Sequence, residues 1–258
     1  MTLSGAPAET RTYSRIGVLA MLLSFALPAH ADEAEWLVAP YGWLSGVSFD
    51  QSVDDGASGN ISARDLIDKS DAAGMIRVEA AKARWGFTLD YLWVGVSDDR
   101  VVRIPSSPVP NVGVVADFDM AILEMGGFYR PSGEDRGVDY LFGLRRFSTE
   151  TTLILIPDGE LPRRFDRDSE FTDVFLGARY LHRFDDNWDA TLRGDVSFGD
   201  TEGTVNLLAS VGYRFNELFA LQLGYRHAMF EFDDVISGVG ETTEIELSGP
   251  FLGAVFRF

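Results

Sequence analysis

Apolar and polar residues alternate along most of the chain, most clearly between Gly203 and Phe215. Every second residue of this segment is apolar or aromatic, namely Val205, Leu207, Ala209, Val211, Tyr213 and Phe215. The residues between them are mostly polar, small or charged. Because a period of two places successive side chains on opposite faces of a strand, the pattern predicts a β-strand with one apolar face.

Ten segments carry this pattern, separated by turn residues. They lie at residues 36–50, 71–82, 85–98, 113–130, 137–154, 169–184, 187–200, 203–215, 217–232 and 241–258. The second segment, Ala72 to Lys82, is also compatible with a helix, but its place between two clear strands favours a strand. Eight or twelve strands would result if the segment around Val47 to Ile61 or Val101 to Ile104 were miscounted.

The connections alternate in length, as in an up-and-down barrel. Those after even strands are tight turns, such as Ala83-Arg84 and Asn216-Glu217, whereas most of those after odd strands are long. An even number of strands with short turns at one rim and long loops at the other is typical of transmembrane β-barrels. A soluble β-sandwich would also alternate. However, the segments are longer than typical globular strands, and their second face carries charge. The sequence therefore predicts an all-β, closed antiparallel transmembrane barrel of ten strands.

The first residues have the features of an export signal. Arg11 and Arg15 precede the apolar run 16–27, and Ala29-His30-Ala31 follows Pro28. A charged region, an apolar run and an A-x-A site form the secretory pattern, and the run is too short for a membrane-spanning helix. We therefore expect cleavage after Ala31, which would leave residues 32–258 as one barrel domain.

The end of the chain has an apolar aromatic pattern of its own. Leu252, Ala254, Phe256 and Phe258 share one face, and the last residue is aromatic. This ending resembles the C-terminal assembly signal of Gram-negative outer-membrane β-barrel proteins, and residues 36–46 are similar to first strands in an uncharacterised small-barrel group of them. The resemblance implies a location in the outer membrane, insertion by the outer-membrane assembly machinery, and contact with outer-membrane lipid and lipopolysaccharide.

The residues that alternate with the apolar face are predicted to point into the lumen. They include eleven charged residues: Arg77, Glu79, Asp90, Glu124, Arg145, Arg179, Arg193, Asp195, Arg214, Arg226 and Arg257. An arginine facing lipid at the membrane midplane costs about 2–4 kcal/mol, which favours the inward placement. Asp139 and Asp189 are expected to share the interior and to reduce its positive excess.

Two functions follow from such a lumen. The interior charges can form a closed structural core of ion pairs, or the arginines can line a narrow pore for small solutes, including anions. Ten strands enclose little more room than the eight that side chains alone can fill, which favours the closed core. The leading prediction is a non-enzymatic, monomeric protein with a structural or surface-contact role. An enzyme acting on lipid or peptide is the weakest alternative.

Three residues on the strands depart from the pattern. Arg146 has the parity of the outward residues, so it either reaches towards a lipopolysaccharide phosphate or marks a β-bulge that resets the parity. Pro40 and Pro250 lie in the first and last strands, and proline cannot donate to a sheet. The closing seam is therefore weakened there, unless each nitrogen points away from its partner strand.

Composition narrows the possible chemistry. The 258 residues include no cysteine, which excludes disulfides and thiol chemistry, and the net charge of -18 speaks against nucleic acid as a partner. The mature chain retains His182 and His227, both predicted to face outward, and we find no oriented partner for a general base. No cofactor or metal is predicted, although acidic outer loops could collect divalent cations. Residues 62–68 suggest a capped helical turn in the first outer loop.

Overall fold

The computed structural model describes residues 34–51, 58–61, 70–103, 111–157, 161–233 and 242–258. The predicted signal peptide, residues 1–31, and the predicted helical turn at 62–68 lie outside these residues. Within them, no helix is long and apolar enough to cross a membrane.

The described chain folds into antiparallel strands, numbered here in chain order. They are β1 Glu35–Trp43, β2 Gly46–Gln51, β3 Ser58–Ile61, β4 Ser70–Lys82, β5 Trp85–Arg103, β6 Asn111–Tyr129, β7 Gly137–Pro157, β8 Arg163–Arg183, β9 Trp188–Gly199, β10 Gly203–Arg214, β11 Phe219–Asp233 and β12 Thr242–Arg257.

The strands close into a barrel with ten wall strands. Strands β1 and β2 both pair with β12 in one continuous register, in which Leu37 faces Arg257 and Gly46 faces Ser248, so they are two halves of the first wall strand. Strands β4 to β12 supply the other nine, and the short β3 pairs with β2. The predicted closed ten-stranded antiparallel barrel is confirmed. Residues 72–82 belong to strand β4, which lies between β1 and β5.

The outer wall is apolar and exposed. Large side chains that point away from the lumen include Phe142, Leu144, Leu176, Leu192, Val196, Leu207, Leu223 and Leu252. Aromatic residues, among them Trp85, Tyr140, Tyr180 and Trp188, lie near the rim where the tight turns and both ends of the barrel domain meet; we call this the turn rim and the opposite one the loop rim. An exposed apolar surface of this extent fits a barrel embedded in lipid, with an aromatic girdle at the turn rim.

Four strands are longer than predicted. Strands β5 to β8 have 19 to 21 residues, against 12 in β9 and β10. The loops predicted at 99–112 and 155–168 are therefore too long, because residues 99–103, 111–112, 155–157 and 163–168 continue the ladders. The pairs of β8 with β9 begin at Asp173, so residues 163–172 extend beyond β9. We call residues 97–103, 111–117, 150–157 and 163–172 the blade.

Two prolines reduce the number of backbone hydrogen bonds between β1 and β12, the seam that closes the barrel. Trp36 and Phe258 exchange both backbone hydrogen bonds, at 3.0 and 2.9 Å. The backbone N–H and C=O groups of the even-numbered residues of β1 and β12 therefore point towards the other strand of this pair. Pro40 and Pro250 both occupy such positions. The Leu44 amide donates to the Pro250 carbonyl at 2.9 Å, and Pro250 has no N–H to return. This geometry favours the interpretation that the seam is weakened.

The seam also depends on a close backbone approach at Gly249. A Cβ atom on Gly249 would lie 2.0 Å from the Leu44 carbonyl oxygen, and the Trp43 indole donates to the Gly249 carbonyl at 3.1 Å. Gly42 lies on the same seam, and a Cβ atom there would meet nothing within 4 Å.

We expect Gly249→Ala to destabilise the refolded barrel by about 1–3 kcal/mol, since the added methyl group forces the seam apart. Gly42→Ala, the matched control, should change stability by less than about 0.5 kcal/mol. Urea unfolding followed by gel mobility measures both. Equal midpoints for the two variants would contradict the assigned contact.

Candidate functional site in the barrel lumen

The lumen is filled by side chains in successive layers. From the turn rim towards the loop rim these are an open vestibule, a lower charge cluster, a central charge network and an apolar layer. Each layer is built from inward-facing residues of several strands, because the strands tilt around a closed wall.

Glu124 on β6 is the centre of the central network. It is buried and receives hydrogen bonds from three arginines on three other strands: Arg145 Nε at 3.1 Å, Arg193 Nη2 at 2.7 Å and Arg226 Nη2 at 3.0 Å. All three guanidinium groups are also buried. One carboxylate therefore links β6 to β7, β9 and β11 across the lumen.

Asp195 and Asp90 complete the central network. Asp195 accepts from Arg193 Nε at 2.7 Å and from Asn206 Nδ2 at 2.8 Å, and it also pairs with Arg145. Asp90 accepts from the Tyr41 hydroxyl at 2.7 Å. Three buried arginines thus face three buried carboxylates, and the charges of this layer balance, as burial requires.

The lower cluster is organised around Glu79 and Asp139. Arg130 donates to Asp139 from Nε at 2.8 Å and from Nη2 at 3.1 Å, and Arg179 Nη2 donates to the same carboxylate at 2.8 Å. Glu79 pairs with Arg77 and Arg179. Here three arginines face two carboxylates, so a positive excess remains on the side of the turn rim.

Aromatic rings support the guanidinium groups. Arg145 and Arg193 lie over Phe175, with the guanidinium carbons 5.4 and 5.8 Å from the ring centroid, and Arg130 and Arg179 lie over Phe128 at 5.2 and 5.0 Å. Both rings are buried inside the barrel. These cation–π contacts fix the planes of the guanidinium groups and leave little free space between the layers.

An apolar layer lies across the lumen above the central network. Its buried residues are Trp43, Leu92, Val94, Met120, Ile122, Phe147, Ala228, Phe230, Phe232, Leu247 and Phe251. Phe147 lies 5.1 Å from Phe230 and 5.3 Å from Phe232, measured between ring centroids. The charge pattern did not predict this layer. The sequence does contain a signal for it, because Phe230 and Phe232 have the inward parity of β11 while Glu231 faces outward.

The structure places most of the predicted lumen residues in the two charge layers. Nine of the eleven take part in the two charge layers, whereas Arg214 and Arg257 line the vestibule nearer the turn rim. Arg130 and Asp173 are buried charged residues that parity did not single out. Asp173 accepts hydrogen bonds from Ser197 Oγ at 2.9 Å and the Thr201 amide at 3.1 Å, so it anchors the short turn after β9.

The outward residues also have defined places. Arg146 points outward without a bulge, in register with Leu123 and Thr172, and pairs with Glu170. His182 is exposed beside Phe184, and His227 lies 3.3 Å from Glu246. Leu252 and Phe258 are exposed, and Phe256 packs against Phe219 at 5.4 Å. The described residues contain no cluster of three or more His, Asp or Glu placed to hold a metal ion.

Comparison with known proteins reveals only distant likeness. No family model and no curated protein matches the chain. Among solved structures, the translocator domain of autotransporter NalP from Neisseria meningitidis aligns at TM-score 0.42 and 11% identity, covering 95% of both chains. The outer membrane protease OmpT from Escherichia coli aligns at 0.43 and 10%, covering 88% of this chain and 97% of that one. Ail, the attachment invasion locus protein of Yersinia pestis, aligns at 0.34 and 10%, covering 88% and 99%. These scores add nothing to what the strand pairing already shows.

We expect Glu124→Gln to destabilise the barrel by about 3–5 kcal/mol, because it leaves three buried arginines without their shared carboxylate. The matched control is Glu170→Gln, which breaks the exposed pair with Arg146 and should cost at most about 1 kcal/mol. Urea unfolding of the refolded proteins measures both. A loss for Glu124→Gln no larger than that of the control would show that the network adds little to stability.

Proposed function

We propose that this chain is a monomeric outer-membrane β-barrel protein with a non-enzymatic structural or surface-contact role. In this proposal residues 1–31 are a signal peptide removed after Ala31, the turn rim faces the periplasm, and the loop rim faces the cell exterior. The apolar outer wall, the aromatic girdle and the short turns at one rim support this orientation. The aromatic residues at the end of β12 support recognition by the outer-membrane assembly machinery.

The packing of side chains inside the lumen is the observation that carries the proposal. A balanced charge network and an apolar layer lie one above the other, and their members are almost all buried. An open channel needs a water-filled path, whereas these layers fill the lumen with buried side chains at two successive levels. The lumen therefore acts as the core of the protein, and the barrel wall acts as its membrane-facing surface.

The blade supports the surface-contact part of the proposal. Its β8 side chains Arg164, Asp166 and Asp168 are exposed beyond the apolar wall, and Arg164 binds Asp166 at 2.8 Å. In the proposed orientation the blade projects from the outer membrane into the surroundings of the cell. Charged strand edges of this kind remain soluble and discourage aggregation between barrels.

A narrow pore for small anions is the second candidate. It is favoured by the vestibule, which opens at the turn rim and is lined by several arginines, including Arg214 and Arg257. Conduction would require the charge network and the apolar layer to open together. An enzyme remains the third alternative, and it predicts altered lipid A or phospholipid in cells that overproduce the protein.

Conductance in planar bilayers separates the first two candidates. We expect refolded protein, whose insertion is verified by gel mobility and protease protection, to give no discrete current steps, because the lumen is blocked at two levels. Unitary steps in the wild type that disappear in Arg193→Gln would overturn the closed-lumen proposal in favour of the anion pore.

Contact with lipopolysaccharide is tested at Arg146, which follows Tyr140, Phe142 and Leu144 on the outer face of β7. We expect lipopolysaccharide to raise the unfolding temperature of the wild type more than that of Arg146→Gln, since the guanidinium can bind a lipid phosphate. Arg164→Gln, which also removes an exposed paired arginine but on the blade, is the control. An equal rise in all three proteins would contradict the contact.

A further inference from the structure

The vestibule at the turn rim is a cavity that the closed-core function does not use. It has a volume of about 610 Å³, within the range of about 300–1,000 Å³ typical of small-molecule sites. Its inner end is formed by the lower charge cluster, with Arg77, Glu79 and Arg179 in its lining. A molecule can therefore enter from the turn rim but cannot continue through the central network, so the cavity is suited to binding and not to passage.

Arg214 and Arg257 give this cavity a local positive charge. Both guanidinium groups line the cavity and repel each other, and the carboxylates of Asp189 and Asp135, which also line it, attract Arg257. Arg214 Nε and Arg257 Nη1 are buried N–H groups with no acceptor within hydrogen-bond distance. Buried donors without partners are costly, and two like charges side by side add to that cost. An anion held in the cavity beside the two guanidinium groups would offset their mutual repulsion.

Asp189 lines the same cavity and offsets part of the charge of Arg257, and the other charged groups of this region do not act as an anion between the two arginines. Arg77 is paired with Glu79, and Arg183 is paired with Asp135. The carboxylates of Glu35 and Glu217 belong to exposed residues at the mouth. The positive excess of the lower cluster adds to the charge of Arg214 and Arg257, so the inner part of the vestibule favours a negative ligand.

One wall of the vestibule is apolar. Ala39, Ala220 and Val255 are buried together with Leu37 packed against them, on β1, β11 and β12, and all four line the cavity. Arg257 follows Val255 on the same face of β12. An apolar surface directly beside two arginines suits a ligand that carries one anionic group on an apolar body.

We propose that the vestibule binds a small organic carboxylate, with its anionic group between Arg214 and Arg257 and its apolar body against Leu37, Ala39, Ala220 and Val255. Benzoate is a suitable probe, because it combines a carboxylate with a flat apolar ring. In the proposed orientation the site faces the periplasm.

Isothermal titration of the refolded chain in a non-ionic detergent tests this proposal. We expect benzoate to bind at one site, and benzyl alcohol, which keeps the ring but lacks the charge, to bind at least about tenfold more weakly, since a hydrogen bond to a charged group contributes that much. Inorganic phosphate should compete with benzoate, but at higher concentration. Absence of benzoate binding, or equal binding of benzyl alcohol, would overturn the proposal.

Two single substitutions test whether the two arginines bind the carboxylate. Arg214→Gln and Arg257→Gln should each weaken benzoate binding by about tenfold or more. Arg136→Gln removes the same charge at the same rim, from an exposed turn residue paired with Glu134, and should leave the affinity unchanged. Folding of each variant is checked by gel mobility. Unchanged affinity in both folded vestibule variants, or an equal loss in Arg136→Gln, would overturn the assignment. Because conductance is measured separately, this result is independent of the closed-lumen test.

Discussion

The structure depends on the requirement that charges sealed inside a barrel neutralise one another. A guanidinium that faces the lipid is costly, and one buried without a carboxylate is also costly. Glu124 bonds to three arginines and balances them together with Asp195 and Asp90, and Asp139 pairs with Arg130 and Arg179. At the level of the two charge layers the interior is therefore ionic and the outer wall is apolar, which is the reverse of a soluble domain.

The sequence was sufficient to predict the fold and the face to which most charges belong. Alternation predicts the face of each residue, because a shift of one residue along a strand would move all its side chains to the opposite face. An arginine such as Arg193 would then face the lipid. It could not predict which charges meet. That depends on the stagger between strands, and Glu124 contacts Arg226 across 102 positions of sequence.

Two errors in the prediction, the missed apolar layer and the loops that were too long, have one physical cause, which is the end of the apolar wall. On β11 the outward residues Leu221, Leu223 and Tyr225 are apolar, but further along Phe230 and Phe232 face inward. On β7 the change falls between Leu144 and Phe147, with Arg146 outward. Beyond this level the outer surface meets water, and the lumen becomes the apolar side. For the same reason the sequence pattern predicts a loop at the charged residues 163–168, although their ladder with β7 continues.

The bonds around Glu124 have a further consequence for how the barrel closes. A closed sheet can satisfy its backbone ladders at more than one stagger, and the ladders alone do not choose among them. Moving β11 by two residues along its neighbours would replace Arg226 with Gly224 or Ala228 opposite the Glu124 carboxylate. The hydrogen bonds of the central network therefore form at a single stagger of the strands. The shear of the barrel depends in this way on one side chain of β6, Glu124.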